Sequence, residues 1–241
     1  MLAASDLALG ARLRGVTAAL RPGEIAAICG PNGAGKSTLL ACLAGLLSAD
    51  GGNVSLDSAP LGSVKAQRRA QAIGFLPQSP EIAWDVSVAT LVSLGRLPWG
   101  DCDQAAIDAA MAAMELEDLR DRPVSQLSGG ERGRALMARV LAGQPRWLLA
   151  DEPLANLDLA HQLALLGKLR AEADAGRGVV LVLHDLAQAI NHADRVLVLE
   201  AGKLVEDGAA ETALAAEVIA RVWGVNAHWL GAPGSRALAV G

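Results

Sequence analysis

The stretch Gly30–Thr38, GPNGAGKST, restricts what this chain can fold into more than any other. It fits the pattern G-x-x-x-x-G-K-[ST], with Gly30, Gly35, Lys36 and Ser37 at the fixed positions and Pro31, Asn32, Gly33, Ala34 and Thr38 beside them. Glycines let a backbone wrap tightly enough to aim successive N–H groups at phosphate oxygens. Lysine adds a positive charge to the β and γ phosphates, and the serine hydroxyl can hold Mg²⁺. A helix beginning here contributes the positive end of its dipole.

The flanks agree with that reading. Glu24–Cys29 is a short apolar run of the kind that forms a buried parallel strand. Ser37–Leu47 carries Leu39, Leu40, Leu43, Leu46 and Leu47 at helical spacing, which predicts a helix through the whole segment. Strand, glycine loop and helix together separate a phosphate loop from a chance match. The chain has only four lysines, so an incidental GKS in this setting is a poor explanation.

Composition narrows the remaining possibilities. A chain of 241 residues suffices for one large domain or two small ones, with a substantial core. Although 52% of residues are hydrophobic, no run of 18 or more lacks charges, so no bilayer-spanning helix is expected. The opening MLAASDLALG has neither a basic start nor a sustained apolar run, so it does not read as a secretory signal and a cytoplasmic location is expected. The net charge of −5 argues against broad nucleic-acid binding. With no Tyr, one Phe and five Trp, a base-stacking surface would be hard to build. Cys29, Cys42 and Cys102 have neither metal-ligand nor redox-pair spacing; the first two read as small hydrophobes, and the odd count fits a reducing compartment.

Along the chain, residues 2–29 read as short strands, and Asn53–Leu56 and Ile73–Leu76 as further ones. From about 85 to 145 the character changes: Val86–Leu94, Asp103–Met114 and Gly129–Ala142 all have helical apolar spacing. Strands return at Trp147–Ala150 and Val179–Leu183, with a helix over about 159–175 between them. Arg195–Leu199 and Lys203–Glu206 read as a hairpin turned at Ala201-Gly202. The alanine-rich helices reflect propensity rather than disorder. No element is predicted for residues 226–241.

Two further stretches carry chemistry. Trp147–Pro153, WLLADEP, is an apolar strand ending in two acids, and strand ends in open α/β sheets face the ligand crevice. Asp151 is placed to orient Mg²⁺ through its water shell, and Glu152 to act as general base toward an attacking water. Leu127–Glu131, LSGGE, opens a helix: Ser128 is a good N-cap, and Gly129 and Gly130 leave backbone N–H groups open. It is a second anion-binding helix start in the same chain.

With these motifs in this order, the chain resembles the nucleotide-binding subunit of ATP-binding cassette (ABC) transporters over about residues 5–225. Three further elements match: Gln78 in FLPQ sits where the family has its Q-loop glutamine, Leu157-Asp158 corresponds to the D-loop, and His184 in LVLHD to the switch histidine. The resemblance implies an α/β fold: a P-loop NTPase (RecA-like) core, about 1–84 and 146–225, with an N-terminal antiparallel β subdomain and an inserted helical subdomain, about 85–145. Residues 226–241 would be a C-terminal tail. It also implies ATP and Mg²⁺ as cofactors, the ion held at Ser37, Gln78 and Asp151. Catalysis would fall to Glu152, His184 and Gln78. Two subunits would meet head to tail, each ATP lying between residues 30–38 of one chain and Ser128, Gly129, Gly130 and Glu131 of the other. The implied partners are a second copy, two membrane permease subunits and, indirectly, a soluble substrate-binding protein, with no nucleic acid. The implied location is the cytoplasmic face of the inner membrane.

Two departures stand out. The family stacks adenine on an aromatic residue upstream of the phosphate loop, and no aromatic precedes Phe75; an apolar or arginine side chain near Leu9–Arg12 is the available substitute. Gly133 stands where the family often has glutamine. Finer resemblance points to importers of iron–siderophore complexes, haem or cobalamin: Asp158-Leu-Ala-His161-Gln162 is similar to an L-D-x-x-H-Q run, and Gly95-Arg96-Leu-Pro98 to a G-R-x-P run, of that group. The alternatives are the ATPase of another ABC importer or of an exporter, a soluble ABC mechanoenzyme, and a nucleotide-gated module that never hydrolyses. Intact Glu152 and His184 weigh against the last.

Overall fold

The computed structural model describes residues 1–78, 85–155 and 157–241. Residues 79–84, expected at the end of the first core segment, and Asn156, inside the Leu154–Asp158 run, lie outside the described residues.

The strands are β1 (Leu2–Leu9), β2 (Leu13–Leu20), β3 (Ile25–Cys29), β4 (Gly51–Leu56), β5 (Ala59–Pro60), β6 (Ile73–Leu76), β7 (Trp147–Asp151), β8 (Gly178–Val182), β9 (Arg195–Glu200), β10 (Lys203–Ala209), β11 (Ala227–Leu230) and β12 (Ala237–Val240). The helices are α1 (Lys36–Leu43), α2 (Ala66–Ala72), α3 (Val88–Ser93), α4 (Gln104–Ala113), α5 (Gly129–Ala142), α6 (Leu159–Asp174), α7 (Leu186–His192), α8 (Ala210–Ala213) and α9 (Ala216–Trp223).

The central sheet runs β10-β9-β3-β8-β7-β6. All its pairings are parallel except β10 on β9. Strands β3, β7 and β8 are buried at every position, as a parallel sheet covered on both faces requires. Successive side chains alternate between two apolar cores. Ile25, Ala27 and Cys29 of β3 enter one core, with Leu148 and Ala150 of β7 and the helices α3–α9. Ala26 and Ile28 enter the other, with Trp147 and Leu149, helix α1 and the antiparallel sheet β2-β1-β4-β5. Gly178 exists to seat the fully buried Trp147: a Cβ there would lie 2.2 Å from the indole ring.

Helices α3–α5 lie between β6 and β7 in the chain and join the first core through Val88, Leu91, Ile107, Met111, Leu136 and Met137, among others. Cys29 and Cys42 are buried without partners in disulfides, and burial pushes the Cys29 thiol up to about 12.

The structure departs from the sequence reading in one predicted helix and adds elements that the reading did not place. The helix predicted through Leu47 ends at Leu43, because Gly45 turns to φ +70° and closes it; Leu46 and Leu47 are then 61% and 40% exposed rather than on the core face. Helix α2 carried no apolar stripe to announce it, and none of its residues is buried. The unplaced C-terminus forms the β11–β12 hairpin, in which Trp229 Nε1 donates to Leu214 O (2.7 Å) and Asn191 exchanges two hydrogen bonds with the Arg236 backbone (2.8 Å each). No helix among the described residues is long and apolar enough to cross a membrane.

Candidate active site

The carboxyl ends of β3, β7 and β8 deliver Gly30, Asp151 and, two residues past β8, His184 to one edge of the sheet. That is the edge where ligands bind in open α/β folds. The backbone there is shaped by close approach. Gly30 has φ +150°, and a Cβ on it would lie 2.1 Å from Leu199 O. Gly35, at φ +100°, caps α1; a Cβ on it would lie 2.4 Å from Arg12 O. The loop is thus wedged between the end of β9 and the tip of the β1–β2 hairpin. Arg14 N donates to Gly202 O (2.8 Å) and Gly202 N to Ala34 O (3.1 Å), which ties hairpin, β9–β10 turn and loop together.

A cavity of about 630 Å³ opens here, lined by residues 32–38 with Arg12, Gln78, Glu152 and His184. Lys36 is 6% exposed, and its ammonium donates to Gly30 O (2.8 Å) and Pro31 O (3.0 Å). Gly30 and Pro31 therefore act through their carbonyls. One of the three ammonium protons is left for a ligand. Burial lowers the Lys36 pKa, against the pull of Cys29, Glu152 and Asp151.

Asp151 is 5% exposed, and Oδ1 has no hydrogen-bond partner. Burial raises its carboxyl pKa, opposed by a hydrogen bond with Ser37 and by the charge of Lys36. A buried, unpartnered carboxylate oxygen beside a serine hydroxyl fits a hard, oxygen-seeking cation such as Mg²⁺. Among the described residues no group of three or more His, Cys, Asp or Glu could hold a metal ion. A cation at Asp151 would therefore draw further ligands from the nucleotide.

Glu152 adopts φ +52°, rare for a residue with a side chain, and its Oε1 lies 2.5 Å from His184 Nε2. Such strain, of order 1–3 kcal/mol, persists only where the surroundings impose it. Its effect is to turn the carboxylate out of β7 toward the cavity. Asp185 caps α7 by accepting from Ala187 N and Gln188 N, which fixes the backbone next to His184.

Ser128, Gly129, Gly130 and Glu131 are elsewhere. They line a separate cavity of about 510 Å³ with Arg134, Asp158 and His161, and share no lining residue with the first. A reciprocal capping box shapes this turn: Ser128 Oγ accepts from Glu131 N (3.3 Å), and Glu131 Oε2 from Ser128 N (2.8 Å). Asp158 caps α6 and accepts from both His161 N (2.9 Å) and the His161 ring (2.8 Å), which holds its carboxyl below the usual range. The Gly95–Pro98 run is accounted for by packing. A Cβ at Gly95 would lie 2.0 Å from Arg139 O, and buried Arg96 makes paired hydrogen bonds to Asp101 (2.8 and 2.7 Å).

The ABC transporter family model matches residues 13–155, which spans both the phosphate loop and the Ser128 turn. The chain belongs to the ABC transporter family. It is the ATPase subunit of such a system, with ATP hydrolysis coupled to transport. Among curated relatives, it is 42% identical over 214 residues to a "Hemin import ATP-binding protein HmuV" of Rhodococcus jostii, covering 87% of this chain and 73% of the relative. A protein of the same name from Myxococcus xanthus is 43% identical over 230 residues, covering 89% and 86%. Among solved structures, a bacterial Atm1-family ABC exporter with ATP bound superposes with a TM-score of 0.82 at 27% identity; the alignment covers 92% of this chain and 41% of the exporter chain.

Sequence reasoning singled out most of the cavity, but it named Arg12 only as one of several residues near the hairpin tip. It missed the hydrogen-bonding of Gln162 and Gln188 altogether. The L-D-x-x-H-Q spacing marked Gln162 without saying what it touches.

Proposed function

We propose that this ATPase energises a membrane importer for haem or a related iron chelate, working as a homodimer on the cytoplasmic face of the membrane beneath two permease subunits. The observation that carries the chemistry is the convergence of Lys36, Gln78, Glu152 and His184 on one cavity with buried Asp151 behind it. Head-to-tail pairing is supported by the separation of the two cavities, since residues 128–131 of the same chain line none of the first. A second copy would supply that turn to the terminal phosphate. The division into a core at about 1–84 and 146–225, a helical subdomain at about 85–145 and a C-terminal tail at 226–241 is part of this reading, the helical part facing the permease. Haem is favoured among cargoes by the names of the relatives, and a soluble substrate-binding protein would deliver it.

Lys36 and the backbone N–H groups of Gly33 and residues 35–38 bind the β and γ phosphates, while Ala34 N donates within the loop to Pro31 O (3.2 Å). Ser37, Gln78 and Asp151 would hold Mg²⁺, which when bound neutralises phosphate charge. Glu152 accepts the proton of the attacking water, and His184, already against the Glu152 carboxylate, fixes the water and γ-phosphate in line. Arg12, held at the cavity rim, stacks its guanidinium plane on the base in place of the missing aromatic.

The test is Glu152→Gln. It should retain ATP, turn over very slowly and trap the dimer; normal cycling would remove Glu152 from the mechanism. Lys36→Ala should lose nucleotide affinity. Co-purification with the permease, followed by uptake assays with haem, ferric chelates and cobalamin, identifies the cargo.

A further inference from the structure

Gln162, in the first turn of α6, and Gln188, in α7, form an amide chain that the proposed mechanism does not use. Gln162 Nε2 donates to Leu154 O (3.2 Å) and to Leu157 O (3.0 Å), while Gln162 Oε1 accepts from Gln188 Nε2 (2.9 Å). Both amide protons and the amide oxygen of Gln162 are thereby engaged. These bonds join the turns that follow Glu152, the start of α6, and the helix that begins just after His184. Buried Leu154 and Leu157 pack in the same core as Leu183, Leu186 and Ala189, and next to this packing a cavity of about 280 Å³ is lined by both glutamines, Glu152 and His184. The turns themselves are slight, closed by Ala155 N to Glu152 O (3.2 Å) and Leu157 N to Leu154 O (3.4 Å). Yet they carry a residue in left-handed backbone, and such a residue relaxes unless its surroundings hold it.

We propose that Gln162 is a positioning residue for ATP hydrolysis: its amide fastens the turns after Glu152 to the helix after His184, and so adds a polar brace that steadies the contact between carboxylate and imidazole. The inference rests on the assignment of Glu152 as base.

Steady-state ATPase assays on the full chain, with Gln162→Met, Gln188→Met and the double variant, test it. Methionine keeps the length and removes every hydrogen bond. Gln162→Met should lower kcat about tenfold, with the KM for ATP within about twofold of wild type and an unchanged unfolding midpoint. Gln188→Met, which spares the bonds to Leu154 and Leu157, should lower kcat about threefold, again without a change in KM. The double variant should match Gln162→Met alone, because the two amides act as one unit. Wild-type kcat in Gln162→Met, a loss that follows KM or the unfolding midpoint, or additive losses in the double variant would each overturn the proposal. Should Gln162→Met fail to fold, Gln188→Met decides by the same split of kcat from KM. Glu152→Gln is assayed alongside. If it cycles normally, the base assignment fails; if it is slow while Gln162→Met is normal, only the link fails.

Discussion

Two glycines of the same phosphate loop should fail in opposite ways when changed to alanine. Gly30→Ala introduces a Cβ 2.1 Å from Leu199 O. That carbonyl cannot swing aside, because Leu199 is in register with Leu204 across the β9–β10 pair. Gly33→Ala introduces a Cβ with nothing within 4 Å, at φ +77°. Both variants incur backbone strain of about 1–3 kcal/mol. Only Gly30→Ala adds overpacking, about 1–3 kcal/mol for an atom forced into filled space. A chain of this size loses about 2–4 °C of Tm per kcal/mol. Gly30→Ala should therefore melt about 2–12 °C below Gly33→Ala, and the rigid obstacle favours the upper half of that range. Affinity should run the other way: Gly33 lines the cavity, so its methyl should weaken ATP binding by roughly tenfold, about 1.4 kcal/mol, in a chain that still folds well. Thermal unfolding without nucleotide, followed by titration with a fluorescent ATP analogue, measures both. Equal melting of the two variants, or a lower Tm for Gly33→Ala, would refute the claim that Gly30 is dictated by β9 rather than by the nucleotide.

Other substitutions separate individual roles. Stacking of Arg12 on the base predicts that Arg12→Trp keeps ATP affinity while Arg12→Ala and Arg12→Lys weaken it about 2–5-fold; the reverse order, lysine tolerated and tryptophan not, would mean a phosphate contact. Burial raises the Asp151 pKa above its unfolded value, so its contribution to stability is complete below the unfolded pKa and lost as pH rises through the folded one. Nucleotide-free Asp151→Asn should accordingly melt above wild type at pH 7, with the gap closing below about pH 4, while Mg²⁺-dependent ATPase activity falls; a lower Tm at pH 7 would contradict the burial argument. Lys36→Met removes a buried charge, so the nucleotide-free chain should be no less stable than wild type although ATP binding is lost.

What could be read from the sequence follows from the range of the forces involved. The phosphate loop, the acids ending β7 and the N-cap at Ser128 are local patterns, and each was legible as a string. The buried strands of the sheet were legible because their apolar runs are short and continuous. Helix α1 was overextended because leucine spacing continues past Gly45, whose positive φ overrides it. The β11–β12 hairpin escaped notice because it is held by tertiary bonds, from Trp229 to Leu214 and from Asn191 to Arg236, rather than by strong alternation. Within the site, the positive φ of Glu152 and the Gln162–Gln188 bond depend on residues distant in the chain, and composition or spacing carries no trace of them.

Strand β3 is a partition: its odd-numbered residues face one core, its even-numbered residues the other, and the phosphate loop is its continuation. Ala26 and Ala27 leave no slack on either side, so a bulkier residue at one would press the strand toward the core beyond it. The grip on nucleotide is then tuned from places nucleotide never reaches. Variants selected only for a tougher interior, on either side of this wall, should inherit altered ATP affinity as a by-product.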